Sequence, residues 1–204
     1  MKDEFEMTDL GKLSYLLGMK FAKTEEGVLM HQKKYAREIL RRFNMADCNP
    51  ASIPMEINAK LEIEIEEKLV DSTLFKQVVG SLRYSCNTRP DICYSLGVVS
   101  RFMERPKHSH WLALKRIMRY IQGTIGHGIM FAIDLKHENK DVVGYLDSDW
   151  CGDKNDRRST SRHVFKLMKS PVAWSSNKWH VISLSSCEVE YIVGSYAACQ
   201  ALKF

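Results

Sequence analysis

No stretch of this sequence comes near the roughly 18 consecutive apolar residues that a membrane-crossing helix needs. The opening run MKDEFEMTDL is acidic and polar, whereas a secretory leader starts basic and then turns apolar. The chain therefore reads as intracellular, in cytoplasm or nucleus, with no membrane partner. Cysteine is sparse and scattered. Cys48, Cys86, Cys93, Cys151, Cys187 and Cys199 form no C-x-x-C pair and repeat no spacing, which argues against a disulfide framework or a zinc site and for reduced thiols. Internal repeats and low-complexity tracts are also lacking. What remains is an ordinary globular composition, 45% hydrophobic over 204 residues, enough for one large domain or two small ones.

The net charge of +5 is mild, but it is unevenly spread. Residues 71–123 hold nine Lys/Arg against three Asp/Glu, a local balance of +6. Just before them, LEIEIEEKLV carries four Glu against one Lys. A basic block on helices is a candidate footprint for a phosphate backbone, with a merely solvated helix face as the alternative.

Periodicity divides the chain. In LSYLLGMKFAKTEEGVLMHQ two β-leaning runs flank a polar turn, a hairpin signal. KKYAREILRRFNM then places Tyr35, Ile39, Leu40 and Phe43 on one helical face. Pro50 and Pro54 break the pattern. Three helices follow. Asp71 or Ser72 caps the first, whose inner face is Phe75, Val78, Val79 and Leu82. Thr88, Pro90 and Asp91 read as N-cap, early proline and first-turn acid of the second, with Ile92, Leu96, Val99 and Phe102 inside. The third buries Trp111, Leu114, Ile117 and Ile121, shows Lys115, Arg116 and Arg119 on its other face, and has Gly123 as its expected C-terminal cap. Beyond Gly123 the period becomes alternating: DVVGYLDSDW, SRHVFKLMK and SPVAWSSNKWHVISL read as strands, and a helix begins at SSCEVEY.

Two carboxylates invite a chemical reading. Asp147 sits at a strand end within Asp147-Ser148-Asp149, where rigid backbone would hold a metal ligand; on chemistry alone a solvated turn is the commoner use of such a pair. Ser185-Ser186-Cys187-Glu188 fits a capping box, which gives Glu188 a structural job. Glu190 has none, and it heads the row Glu190, Gly194, Ala197, Ala201, whose small members would let a helix approach a sheet closely. An exposed first-turn Glu favoured by the helix dipole is the bland alternative.

The run Gly144-Tyr145-Leu146-Asp147-Ser148-Asp149-Trp150-Cys151-Gly152-Asp153, with Arg158-Ser159-Thr160-Ser161, Ala173-Trp174-Ser175-Ser176-Asn177-Lys178 and Leu184-Ser185-Ser186-Cys187-Glu188-Val189-Glu190-Tyr191, resembles the ribonuclease H domain of copia-type retrotransposons. Upstream, Met7-Thr8-Asp9-Leu10-Gly11, Tyr15-Leu16-Leu17-Gly18, Val79-Gly80-Ser81-Leu82-Arg83-Tyr84, Thr88-Arg89-Pro90-Asp91-Ile92 and Lys115-Arg116-Ile117-Met118-Arg119-Tyr120 resemble the end of the reverse transcriptase that precedes it. The resemblance implies an α+β chain in three parts. Residues 1–60 would be the end of the palm with a primer-grip-like hairpin, 61–123 a helical thumb-like subdomain, and 124–204 a C-terminally truncated ribonuclease H-like fold of three antiparallel strands plus one helix.

The same resemblance assigns roles. Asp147 and Glu190 would be two of the four carboxylates that hold a pair of Mg2+ ions in the intact family domain, with no small-molecule cofactor. The other two carboxylates, and the Y-x-D-D hairpin of the polymerase, are absent from the sequence. Arg83, Lys115, Arg116 and Arg119 would face an RNA/DNA hybrid or a duplex. The function implied is that of a Pol polyprotein fragment, inactive as it stands, with a non-catalytic nucleic-acid-binding remnant or a relic reading frame as alternatives. Four departures from the family pattern stand out. Arg162-His163 replaces Gly-Tyr, Trp179 a glutamine, Lys203 a tryptophan and Leu146 a small polar residue; were the replaced glycine in a left-handed conformation, Arg162 would cost about 1 kcal/mol.

Overall fold

The computed structural model describes residues 11–57, 59, 61–62, 66–132, 141–153 and 155–202. Met7 to Leu10 and Lys203 lie outside them. Two antiparallel sheets flank a cluster of four helices. The first sheet has the order β1 (Tyr15–Leu16), β2 (Met19–Lys23), β3 (Gly27–His31) and β4 (Ile129–Ala132). Its β2–β3 pair is the hairpin expected from the sequence. Strand β4 was not anticipated: it is too short to show a period, and it reaches back to pair Ala132 with Gly27 and Ile129 with Met30.

The helices α1 (Lys33–Arg42), α2 (Ser72–Ser85), α3 (Cys93–Val99) and α4 (His108–Gly123) bury their apolar stripes in one core. Phe75, Val78, Leu82, Ile92, Leu96, Val99, Leu114 and Ile117 are fully buried. Every one of these was on an expected inner face, because a 3.6-residue period leaves little choice once one side must leave water. In α1 the buried stripe is Ala36, Ile39 and Leu40, with Tyr35 and Phe43 only half-buried at its margins. Trp111 is likewise half-buried at the core's edge. Asp71 caps α2 by accepting the Thr73 backbone N–H at 2.8 Å.

Two expected caps are replaced by other arrangements. Thr88 does not cap the next helix: it is fully buried, and its hydroxyl donates to Gln32 Oε1 at 2.9 Å. The chain enters α3 through a 3-10 turn, Pro90–Ile92, with Arg89 at the capping position. Gly123 is the last residue of α4, and Thr124 is the cap; a Cβ at 123 would press on Pro50, so close packing is what asks for glycine there. His110, also in α4, is buried and stacked on Phe102 with ring centroids 3.8 Å apart. Its Nδ1 accepts the Lys107 backbone N–H and its Nε2 meets the Glu62 carbonyl. Burial lowers its pKa, and the ring is held neutral with the proton on Nε2.

The second sheet is β5 (Val142–Ser148), β6 (Thr160–Leu167) and β7 (Ser170–Lys178), followed by α5 (Ser186–Ala201). Along β6 the residues alternate. His163 and Phe165 turn to one face, where His163 meets Tyr196 of α5. Arg162 turns to the other, over Tyr94 of α3. The sheet is therefore a middle layer between α5 and the helix cluster. Arg162 has ordinary strand backbone, since the non-glycine residues with positive φ are Leu17, Asn44, Cys151, Arg157 and Met168; the substitution carries no strain of the kind expected. The buried stripe of α5 is Val189, Val193 and Ala197, so that of the small-residue row only Ala197 is buried. Gly194 faces open space and Ala201 is exposed. The reason is bulk: two valines cover more apolar area than a glycine and an alanine, so they set the rotation of the helix. No described helix is long and apolar enough to cross a membrane.

Strand β5 has β6 on one side and no strand on the other among the described residues. Val142, Val143, Tyr145 and Leu146 are 40 to 57% exposed. An apolar strand with free N–H and C=O groups along one edge is a template for intermolecular pairing. A fragment covering 124–204 is expected to aggregate rather than to melt in one sharp reversible step. Scattering during thermal unfolding checks this, and a soluble monomer with a cooperative transition would contradict it.

Candidate functional site

The helix cluster and the second sheet meet at a set of charges that no sequence pattern singled out. Asp153 lies in the β5–β6 connection, 6% exposed. Its Oδ2 accepts Arg101 Nη1 at 2.8 Å and Lys178 Nζ at 2.5 Å. Its Oδ1 accepts the backbone and side-chain N–H groups of Asn155. Arg101 comes from the 3-10 turn Ser100–Phe102 that ends α3, and its Nη2 donates to Thr160 Oγ1 at 2.8 Å. Lys178, at the end of β7, also meets Asp156 at 2.7 Å. Burial alone would raise the Asp153 pKa, but the Lys178 and Asn155 hydrogen bonds and the two cationic charges outweigh it and hold the group at about 2. The junction thus carries a fully ionised carboxylate with both oxygens satisfied.

A cleft of about 840 Å³ opens beside it, with Asp91, Tyr94, Arg101, Asp149, Asp153 and Arg162 in its walls. Each charge there already has a partner. Asp91 pairs with Arg89 at 2.7 Å. Asp149 accepts the Thr160 backbone N–H at 2.6 Å and packs so closely on Gly152 that any Cβ there would collide with its carboxylate. Asp149 is therefore a turn-forming residue.

The expected site residues lie as follows. Asp147 is on β5, its side chain 62% exposed, and its carboxylate receives Arg162 Nη2 at 2.6 Å from the directly opposite position of β6. Glu190 is exposed on α5 and makes no hydrogen bond or ion pair with the described residues. Glu188 does reach back as a capping residue, although to the Leu184 backbone N–H and not to that of Ser185, the N-cap. Among the described residues no three His, Cys, Asp or Glu side chains converge as a metal site.

The four expected phosphate contacts are spread over two helices. Arg83 on α2 reaches Ser100 Oγ at 3.4 Å. On α4, Lys115 stands over the Trp111 ring, Arg116 pairs with Glu56 at 2.8 Å, and Arg119 donates to the Asn49 carbonyl at 2.7 Å. Arg116 and Arg119 thus fasten the proline-containing connection onto α4. Arg101, Asp153 and Lys178 were missed as a set. Asp153 and Lys178 stand inside the family-like motifs, yet pairing between residues so distant in sequence leaves no periodic signal.

Comparison with known proteins identifies the lineage. Residues 1–57 match the family model described as reverse transcriptase (RNA-dependent DNA polymerase). The chain is 38% identical over 191 residues, 94% of its length, to the retrovirus-related Pol polyprotein from transposon RE1 of Arabidopsis thaliana. It is 36% identical over 205 residues to the corresponding polyprotein from transposon TNT 1-94 of Nicotiana tabacum. It spans 13% and 15% of those two polyproteins. An uncharacterized mitochondrial protein of Arabidopsis thaliana is 35% identical over 191 residues and is covered over 78% of its length. No solved structure matches. These matches define a reverse-transcriptase-related protein. More narrowly, the chain belongs to the copia-type retrotransposon Pol polyprotein family.

Replacing Asp153 with Asn keeps its shape and removes its charge, taking the carboxylate partner from Arg101 and leaving Lys178 with Asp156 alone. The expected loss is about 3 kcal/mol of unfolding free energy in urea. The folded pKa is depressed, from 3.8 to about 2, so this contribution is present above pH 3.8 and lost as the pH falls from there toward 2. It amounts to roughly 2 kcal/mol. Acid-unfolding curves of the two proteins should converge over that window, and parallel curves would refute the assignment.

Proposed function

We propose that this chain handles nucleic acid as a non-catalytic segment of retrotransposon Pol machinery. In this reading residues 1–60 correspond to the end of a reverse transcriptase palm, 61–123 to a thumb-like helical subdomain, and 124–204 to the first part of a ribonuclease H domain, with β4 lent to the N-terminal sheet. The observation that carries it is the order of the C-terminal elements. Three antiparallel strands are followed by a helix laid on the sheet, with Asp147 on the first strand and Glu190 on that helix. The basic block of 71–123 supports the binding half of the proposal.

Asp147 and Glu190 are the carboxylates the chain would bring to a Mg2+ centre, where no group of three such ligands converges among the described residues. In the assembled state Arg162 has to release Asp147. The duplex or RNA/DNA hybrid would lie along α2 and α4, where Arg83 and Lys115 meet no carboxylate among the described residues. These two are the better phosphate ligands, since Arg116 and Arg119 are occupied by Glu56 and Asn49.

Binding to a labelled hybrid should be weak, indifferent to sequence and steeply weakened by salt. Charge reversal at Arg83 and Lys115 should lower affinity equally for all sequences and make the salt slope shallower by about one for each phosphate no longer neutralised. Salt-independent affinity would rule the surface out.

The purified chain should show no magnesium-dependent cleavage of that hybrid, because a two-ion mechanism needs more carboxylates than this pair. Cleavage that vanished in Asp147→Asn would overturn the non-catalytic reading while leaving the family assignment intact.

A further inference from the structure

A second, smaller pocket of about 260 Å³ also lies between the two halves of the molecule. Arg83 of α2, with Ser100 and Arg101 of the turn that ends α3, forms one wall, and Thr160 of β6, with Ser176 and Lys178 of β7, forms the other. The three sheet residues share a face, because Thr160 lies directly opposite Lys178 in the β6–β7 register and Ser176 is two residues from Lys178 along the strand. It is the face turned toward the helices: Arg162, opposite Ser176, reaches Tyr94 from it. Gly97 keeps α3 clear of the space, since a Cβ there would meet only the Ser176 hydroxyl, at 3.9 Å.

The chemistry of these walls is one-sided. No Asp, Glu or aromatic residue lines the pocket, and Asp153, which holds Arg101 and Lys178, lines the larger cleft instead. Several donors remain after the protein's own hydrogen bonds are made. Lys178 gives two of its three ammonium protons to Asp153 and Asp156 and keeps one. Thr160 is 3% exposed, and its Oγ1 accepts Arg101 Nη2 at 2.8 Å, so its own proton is left to donate. The Ser176 hydroxyl makes no hydrogen bond with the described residues. Arg83 reaches only Ser100 Oγ, at 3.4 Å, while Ser100 gives its proton to the Gly97 carbonyl at 2.8 Å.

We infer that this pocket is an oxyanion site that takes a phosphate group, either as the free anion or as the terminal phosphate of a nucleotide strand. The free guanidinium N–H groups of Arg83 come from one wall, and the Thr160 and Ser176 hydroxyls and the third Lys178 proton from the other. Donors on two sides match a tetrahedral group with three exposed oxygens better than a planar carboxylate, and cationic donors make the strongest bonds to it. Charge agrees: Arg83, Arg101 and Lys178 stand against Asp153 and Asp156, a positive excess that an anion answers. The volume is below the roughly 300–1,000 Å³ of pockets that enclose drug-sized molecules, and no ring is present for a base to stack on. The phosphate alone is therefore what the walls read. Because its donors belong to both halves, the bound anion ties α2 and the end of α3 to β6 and β7. The inference does not rest on hybrid binding along α2 and α4, since the free anion is enough to probe it.

The test is equilibrium dialysis of the full chain against radiolabelled inorganic phosphate, with chloride holding the ionic strength constant. Saturable binding of one phosphate per chain is expected. Arg83→Met, at an exposed position, should weaken it about tenfold. Arg37→Met, which removes the same charge from the exposed face of α1, should leave it unchanged. Ser176→Asp, which sets a carboxylate in the pocket beside Lys178, should abolish it. Phosphate at about ten times its Kd should raise the melting temperature by roughly 4 °C in the native chain and not in Ser176→Asp, whose own transition reports that it is folded. Competition by a dinucleotide carrying a terminal phosphate, and not by the same dinucleotide without it, would mark a strand end as the source; competition by neither would mark the free anion. Absence of saturable binding, equal weakening by Arg83→Met and Arg37→Met, or equal competition by the two dinucleotides would overturn the inference.

Discussion

A single carboxylate governs how the two halves of the molecule sit together. Asp153 has been taken out of water, and a buried charge without partners costs several kcal/mol. Arg101 from the helix cluster and Lys178 from the last strand of the sheet both bond its Oδ2, so the charge is shared between the two halves. The ion cluster specifies the docking angle more than it adds stability, because desolvation of three charges consumes most of what their attraction supplies. Around it lie softer contacts that follow from that angle: Arg162 over Tyr94, and Trp174 on the Cys86 carbonyl.

Beneath the junction the helix cluster supplies an independent source of order. Its core is aliphatic, closed by Phe75 and by the neutral His110 on Phe102. Thr88 is bonded to Gln32, and Arg89 to Asp91 and Thr124, while Gln32 Nε2 and the Ser85 hydroxyl are buried without a partner among the described residues. The second sheet is thinner. It borrows one cover from α3 and the other from α5, whose buried stripe is only Val189, Val193 and Ala197. Exposed Val142, Tyr145, Leu184 and Tyr191 show how much apolar surface stays in water on that side. The departures from the family pattern within the described residues fall in this thinner half, and most are absorbed: Arg162 by Asp147, His163 by Phe165, Tyr196 and Ser175. Trp179 is edge-on to Tyr196, although its indole N–H is buried without a partner.

The helices and the strands of the second sheet were legible because burial imposes a period on them. Phe75, Val78 and Leu82 declare their inner face by spacing alone. Asp71 and Ser185 declared their caps by residue type. The rotation of α5 was misread because the small-residue row was judged on its spacing and not on the area each stripe would bury. Thr88 was misread because a threonine before proline suits a cap as well as it suits a buried hydrogen bond. The charge cluster was invisible for a different reason. Asp153, Arg101 and Lys178 are ordinary in their local segments, and only the docking of one half on the other brings them together.

Strand β4 carries a consequence for how the molecule comes into being. Its partner β3 is made about a hundred residues earlier in the chain, so the N-terminal sheet is a long-range structure even though its hairpin is local. Closing a loop of that length has to wait for α1 to α4 to condense first, and pairings of this kind are formed late and slowly. During synthesis, at roughly 5–20 residues per second, the hairpin leaves the ribosome many seconds before its final neighbour. For that interval β3 offers an unpaired edge of its own. The order of translation therefore sets which strand meets it first, and the helix cluster acts as the scaffold that delivers the right one.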